Sequence, residues 1–243
     1  MKKKILRSTL LILLLLPTIA LAHFFVFPQE TRCILIPFSG FEKRGHIYFS
    51  PGTAPDTIAL LQKQLLAAKK NLTGFWGENT ILKHTVIYCN NESDFNDYGL
   101  PGAPAVIHRK LGAYPVFKPE SLNTSIIAHE LSHGVLYNNI GWYKCTFTIP
   151  SWFDEGLAMQ VDERDYYSVD TLMLKKQTGI RLPDIMTLKS SADFHSGSPE
   201  QIMLNYATSK YVVRQWLATH SLERFIRRIR AGQSFISAYN EKD

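Results

Sequence analysis

The sequence predicts an α+β fold in which residues 28–119, a mixed lobe of strands and one helix, precede residues 120–243, a helical lobe. Short apolar runs bounded by glycine and proline dominate the first lobe, and stretches with helical periodicity dominate the second. The 243 residues are 45% hydrophobic and 20% charged, which is typical of globular proteins and excludes fibrous and polytopic membrane proteins. This order of elements predicts a cleft between the two lobes.

Short strands are predicted in the mixed lobe from its apolar runs, at residues 33–38, 46–49, 85–89, Ala105–His108 and Tyr114–Phe117. Pro115 and Pro119 predict an edge position for the last two strands, because proline cannot donate a ladder hydrogen bond. Residues 90–102 are polar and predict a loop.

The predicted helix of the mixed lobe covers residues 55–70. Gly74 and Gly77 are expected to end it. Its apolar residues recur at helical spacing and predict one core-facing side, formed by Ile58, Leu61, Leu65 and Leu66.

Helical periodicity in the second lobe predicts helices at residues 123–139, 151–161, 170–177, 200–220 and Leu222–Arg230. Asn123 is the expected N-cap of the first of them. Residues 141–148 predict a loop between the first two helices.

The N-terminus has the features of an export segment. Lys2, Lys3, Lys4 and Arg7 precede an apolar run, and Ala20-Leu21-Ala22 offers a small-residue cleavage site. Residues 8–27 also contain no acid, lysine or arginine and are long enough to span a bilayer. Residues 1–27 are therefore a cleaved signal peptide or a single transmembrane anchor. Residues 28–243 are expected on the extracytoplasmic side, anchored to the membrane or released as a periplasmic or secreted protein.

The net charge of +6 comes mainly from this segment. Beyond residue 22 the chain has 23 basic and 21 acidic side chains. The charge balance therefore gives no support for nucleic acid as a partner.

Three cysteines follow the export segment, and an oxidising compartment would permit one disulfide. Cys33 and Cys89 border β-type runs and are the favoured pair. The alternative is three buried free thiols, Cys145 included.

Residues 129–133 read His129-Glu130-Leu131-Ser132-His133, which is the pattern H-E-x-x-H. Residues i and i+4 share one face of a helix, so both imidazoles can bind one metal ion. Glu130 lies about 100° around the helix from His129, which places its carboxylate beside the metal, near a bound water. The alternative is a helix with a surface glutamate and two incidental histidines.

Residues 150–158 then read Pro-Ser-Trp-Phe-Asp-Glu-Gly-Leu-Ala. H-E-x-x-H followed by W-x-x-E-G-L-A resembles the gluzincin zinc metallopeptidases, the clan that includes the alanyl-aminopeptidase-like enzymes. The resemblance covers residues 123–161. It implies a zincin-like fold and one Zn²⁺ per chain, bound by His129, His133 and, as third ligand, Glu155.

The resemblance also implies how the remaining groups act. Zinc would activate a water molecule and Glu130 would be its general base. A tyrosine on a downstream helix, Tyr206, would stabilise the oxyanion, and His195, on a predicted loop, is the alternative donor. Asp154 and Asp162 are interpreted as solvated helix charges.

The expected substrate is a peptide or protein, and the expected reaction is endopeptidase cleavage. The chain lacks the G-x-M-E-N segment with which aminopeptidases of this clan hold a free amino end. An edge strand beside the cleft could pair with an extended peptide. Two alternatives stay open, a non-catalytic zinc-binding envelope protein and a zinc hydrolase of a non-peptide amide.

Overall fold

The computed structural model describes residue 18 and residues 22–242, apart from the side chains of Val169 and Leu174. Most of the predicted signal or anchor, residues 1–27, lies outside this part of the chain and stays a prediction. Among the described helices, none combines the length and the apolar character that crossing a bilayer requires.

A five-stranded mixed sheet forms the centre of the N-terminal half. In chain order, β1 to β5 are Glu42–Arg44, Ile47–Phe49, Val86–Tyr88, Ala105–His108 and Tyr114–Phe117. The order across the sheet is β1-β2-β3-β5-β4. Strand β3 is parallel to β2 and β5, whereas β1 and β4 are antiparallel to their neighbours. The α+β class and four of the predicted strands are confirmed.

Residues 33–38 are helical, so the predicted strand was wrong. They fall in α1, Pro28–Ile34, and in the 3₁₀ helix Ile36–Phe38. Cys33 and Ile36 are buried, whereas Phe38 is 87% exposed. Burial at a spacing of three residues is helical, and six apolar residues are too few to show that period.

Strand β4 lies at an edge of the sheet, as predicted, but β5 lies inside it, so the edge prediction for Tyr114–Phe117 was wrong. The parallel pairing joins Ile87 and Tyr88 to Val116 and Phe117. Pro115 lies outside this pairing, so its missing N–H costs that ladder no hydrogen bond.

Helices cover both faces of the sheet. Tyr48, Ile87 and Val116 pack with α1 and with α3, Glu92–Tyr98, which occupies the predicted loop at 90–102. The alternate residues of the same strands pack with α2, Pro55–Trp76, and α4, Thr124–Ile140. Phe95 is the one buried residue of α3, so residues 92–98 show no helical periodicity of apolar side chains.

Helix α2 continues beyond the predicted end and stops at Gly77, whose φ of 56° suits glycine. Ile58 and Leu61 are buried as predicted. Leu66 is 72% exposed, so its core-facing assignment was wrong. The 100° step from Leu65 carries it off the buried side.

The helical lobe contains α5 to α11, which are Trp142–Phe147, Ser151–Ala158, Val169–Gln177, Ser191–Phe194, Pro199–Leu217, Leu222–Arg230 and Phe235–Asn240. Further 3₁₀ helices lie at Gly77–Asn79, Pro119–Ser121, Met159–Val161, Asp165–Tyr167 and Ile185–Thr187. The predicted helices of this lobe are present, with ends shifted by a few residues. Helix α5 replaces the predicted loop at 141–148, and α8 and α11 were not predicted, because such short helices show little periodicity.

The three cysteines are buried free thiols, so the favoured Cys33–Cys89 disulfide was wrong and the alternative holds. The Cys33 thiol donates to the Tyr98 carbonyl, with 3.3 Å between Sγ and O. Cys33, in α1, and Cys89, after β3, both lie in the core between these helices and the sheet, where they act as small apolar side chains.

Candidate metal centre

Helix α4 places the H-E-x-x-H motif at the wall of the cleft. Asn123 caps it, as predicted, because its side-chain oxygen accepts from the Ser125 N–H at 2.8 Å. His129 and His133 lie one turn apart, and each is 6% exposed. The local sequence therefore delivers two buried imidazoles to one side of a well-capped helix.

Helix α6 brings Glu155 to the same place. Trp152 and Phe153 are buried and anchor α6 in an aromatic cluster with the C-terminal helices. Gly156 lets α6 approach α9 closely, since a Cβ there would lie 2.8 Å from the Ser209 carbonyl oxygen. The position of Glu155 is thus fixed by packing before it in the chain, at Trp152 and Phe153, and after it, at Gly156.

Three ligand-type atoms converge between α4 and α6. His129 Nε2 and His133 Nε2 are 3.2 Å apart. Glu155 Oε2 lies 3.2 Å from the first and 3.4 Å from the second. Atoms bound tetrahedrally to zinc at about 2.0–2.1 Å lie about 3.3 Å from one another, so this triangle has the size of a zinc site.

The donor set also fits a cation chemically. Glu155 Oε2 is buried and has no hydrogen-bond partner among the described residues. Although burial acts against it, the charges of Asp154 and Glu155 and the hydrogen bond to Asp154 raise the pKa of His133 to about 10. Burial would raise the pKa of Glu155, but the two histidines hold it well below its usual range. The site therefore favours positive charge at its centre.

Asp154 is the partner of His133, so its interpretation as a solvated charge was wrong. It is 8% exposed, and its Oδ1 lies 2.7 Å from His133 Nδ1. Arg109, at the end of β4, donates to the other oxygen at 2.8 Å. A carboxylate on the outer nitrogen orients a metal-binding imidazole and leaves Nε2 free for the metal.

Asp162 is buried as well, at 1% exposure, so the same interpretation was wrong here. Its Oδ2 lies 3.7 Å from His129 Nδ1, and Arg164 Nε donates to both of its oxygens, at 2.9 and 3.0 Å. Each histidine of the motif thus faces its own arginine-bound carboxylate.

Sequence reasoning placed neither carboxylate beside a histidine and did not single out Arg109 or Arg164. One signal was present for Asp154, since it directly precedes the expected ligand Glu155 on the same helix. Nothing in the sequence links Arg109 to the site, because only the fold brings Arg109, which follows β4, to Asp154 of α6.

A cavity of about 830 Å³ opens in front of the three ligand-type atoms. It is lined by Glu130, Tyr206 and His195 and by the edge strand β4. Burial raises the pKa of Glu130, and the charges of the histidines act in the opposite direction. The structure therefore brings every predicted site residue, and both predicted oxyanion donors, to one cavity.

Tyr206 and His195 contact each other. His195 Nδ1 lies 2.9 Å from the Ser191 carbonyl oxygen, to which it donates, so Nε2 accepts the Tyr206 hydroxyl proton at 2.9 Å. Burial and the nearby Glu155 raise the pKa of Tyr206 well above its usual range, which keeps the phenol protonated.

Comparison with known proteins adds no relative, since no protein-family profile, curated protein or solved structure gives a significant match to this chain.

Proposed function

We propose that this chain is a zinc-dependent metallopeptidase of the gluzincin type that hydrolyses peptide bonds. The carrying observation is the triangle of His129, His133 and Glu155, with ligand atoms 3.2–3.4 Å apart, facing a cavity that also holds Glu130. A structural zinc site needs no such carboxylate beside its ligands, so Glu130 favours catalysis over metal binding alone.

His129, His133 and Glu155 would hold one Zn²⁺. Bound there, zinc supplies a water molecule of lowered pKa and polarises the scissile carbonyl. Glu130 takes a proton from the attacking water and delivers it to the leaving amine. Its raised pKa suits this exchange, because the group must both accept and release a proton near neutral pH.

Tyr206 is the favoured donor to the oxyanion. Its hydroxyl stays protonated and lies in the same cavity. His195 holds that hydroxyl in place, and Tyr206 must exchange this bond for one to the substrate when negative charge develops.

The cavity and the sheet edge together favour an extended peptide as substrate. Ala105, Val106 and Ile107 of β4 line the cavity. Their strand pairs with β5 on one side and, within the described part of the chain, with no strand on the other. A substrate can therefore add to this edge by backbone hydrogen bonds, which favours cleavage within a chain.

Residues 28–243 would act outside the cytoplasm. This part of the proposal rests on the charged and apolar N-terminal sequence, which suits a cleaved signal or a single anchor. No nucleic-acid partner is proposed.

The deciding experiment is zinc content together with peptide cleavage by the full chain. We expect one zinc per chain and chelator-sensitive cleavage of an unstructured peptide. Glu155→Ala should lose most of the zinc and all activity, whereas Glu163→Ala, at an exposed residue outside the site, should keep both. A folded, zinc-supplemented chain that binds no metal contradicts the proposal.

A further inference from the structure

A second cavity, distinct from the metal centre, lies beside the other end of the sheet. Its volume is about 580 Å³, and it contains His46 and His84 at the starts of the parallel strands β2 and β3. The two residues are neighbours because the Val86 N–H donates to the His46 carbonyl at 3.0 Å. The size is that of a small-molecule site.

All ionisable side chains of basic or acidic type among the described lining residues of this cavity are basic. Lys69 of α2 and Lys83, just before β3, line it with the two histidines, and no aspartate or glutamate does. Neither lysine has an acidic partner within the described part of the chain. A concave surface of one charge sign concentrates the opposite charge, so this cavity attracts anions.

An apolar cavity of about 450 Å³ continues from the basic one. The two share His46, Lys69, Leu82 and His84. The rest of the second lining is mostly aliphatic and includes Leu66, the leucine of α2 that is 72% exposed. Leu66 therefore forms part of the wall of the apolar cavity, and no side chain of the described residues covers it.

His84 sits where the two cavities meet and is unsatisfied. Both of its ring nitrogens are buried, and neither has a hydrogen-bond partner in the described part of the chain. Burial, helped by His46, lowers the pKa of His84 to about 4, so the ring is neutral and keeps one N–H donor. An unsatisfied buried donor in a natural protein calls for a bound water or ligand.

We propose that these joined cavities bind a small amphipathic anion, with its carboxylate or phosphate near Lys69, Lys83 and His84 and its apolar chain along Leu66 and Leu82. The source is a solute and not a bilayer lipid. Helix α1, which continues from the export segment, packs on one face of the sheet, whereas this cavity lies with α2 on the other. The site does not depend on the metal centre.

The test uses the full chain in phosphatidylcholine nanodiscs, with hexanoate as the probe and histidine-labelled NMR as the readout. We expect saturable binding that shifts the His84 ring signal, assigned by its loss in His84→Leu. Acetate and inorganic phosphate have the negative charge without the apolar chain, and hexanol has the chain without the charge. Each should bind at least tenfold more weakly than hexanoate. Hexyl phosphate should bind like hexanoate.

Matched variants locate the binding. Lys69→Gln should weaken hexanoate binding about fivefold, the effect of one exposed charge pair, and Leu66→Ser by a similar factor. Lys70→Gln and Leu60→Ser change exposed residues of the same helix outside both cavities and should leave affinity unchanged. Glu155→Ala should bind hexanoate with unchanged affinity. If hexanoate bound at the candidate metal centre instead, this variant would lose the binding.

Three outcomes would overturn the assignment. Hexanol binding as tightly as hexanoate removes the anion requirement. Equal weakening by Lys69→Gln and Lys70→Gln places the probe elsewhere. Competition by anionic lipid in the nanodisc assigns the site to the bilayer instead of a solute.

Discussion

The candidate metal centre and the basic cavity each contain two histidines, and His84 of the second lies against α4, the helix that carries the first. The surroundings of the two sites nevertheless carry opposite charge. Asp154 and Glu155 raise the pKa of His133 to about 10, whereas burial beside His46 lowers that of His84 to about 4. Burial acts downward on both rings. The carboxylates beside His133 raise its pKa and make its surroundings attractive to a cation. No carboxylate lines the cavity of His84, and burial leaves that ring neutral.

The comparison teaches that a histidine's chemistry is set by the residues that the fold brings to it. His129 and His133 are recognisable in the sequence because they stand four residues apart. His84 has no such spacing, and its neighbours come from a turn, a helix and a strand that are distant in the chain. The first site is local in sequence and the second is not.

Replacing Glu130, the proposed general base, is expected to have the largest effect at either region. Glu130→Gln should lower peptide cleavage about a thousandfold, because general base catalysis contributes on that order. Zinc content should stay at one per chain, since Glu130 is not a proposed ligand. Cleavage rate and metal content are measured on the same samples, with Glu163→Gln as the control. Full activity in Glu130→Gln would mean that Glu130 is not the general base and that the candidate metal centre does not catalyse cleavage in the proposed way.

The next largest effect is the pH dependence of stability from His84. Its pKa is lower in the folded state, about 4, than the ordinary 6.5, so the unfolded chain binds the proton first as pH falls. The free energy of unfolding should therefore drop by up to about 3 kcal/mol from pH 6.5 to pH 4 because of this residue.

His84→Leu removes this titration. Denaturation of wild type and variant in chelator, at matched pH values, separates the contribution of His84 from that of the proposed metal ligands. The stability of the wild type should fall relative to that of the variant as pH decreases from 6.5 to 4. If the unfolding free energies of wild type and variant changed in parallel with pH, the pKa of His84 would be the same in the folded and unfolded states, and the ring would not be held neutral by burial in the basic cavity.

A smaller effect is expected from the carboxylate that makes the metal centre anionic. Asp154→Asn keeps an acceptor for His133 but removes the charge that pairs with Arg109, and zinc affinity should fall about tenfold. Competition with a zinc chelator measures this, and Asp56→Asn, at an exposed residue of α2, is the control. An unchanged affinity would mean that the charge of Asp154 does not contribute to zinc binding.

The sequence predicted the α+β class, four strands and the motif helices because each depends on local patterns. It missed α3 and α5, which are short, and it misassigned residues 33–38 and Leu66, where the buried side is decided by tertiary packing. The same division holds at the site. His129, His133 and Glu155 follow from motifs and a resemblance, whereas Arg109 and His84 acquire their contacts only when strands meet helices.

The two regions meet at Gly134, the residue after His133. A Cβ on Gly134 would lie 2.5 Å from His84 Cε1 and 3.0 Å from Ile107 Cδ1, which is closer than packed atoms allow. Alanine normally stabilises a helix interior by about 1 kcal/mol over glycine, but overpacking costs about 1–3 kcal/mol, so Gly134→Ala should destabilise the chain by about 1 kcal/mol.

Removing the opposing ring should reverse the sign of this effect. In a His84→Ala background, Gly134→Ala should become neutral or stabilising, because the closest contact is gone and only the 3.0 Å approach to Ile107 Cδ1 opposes the gain in helix propensity. A double-mutant cycle of unfolding free energies measures the coupling. Additive effects would mean that Gly134 and His84 do not press on each other, and the two histidine regions would then share α4 without being mechanically joined through it.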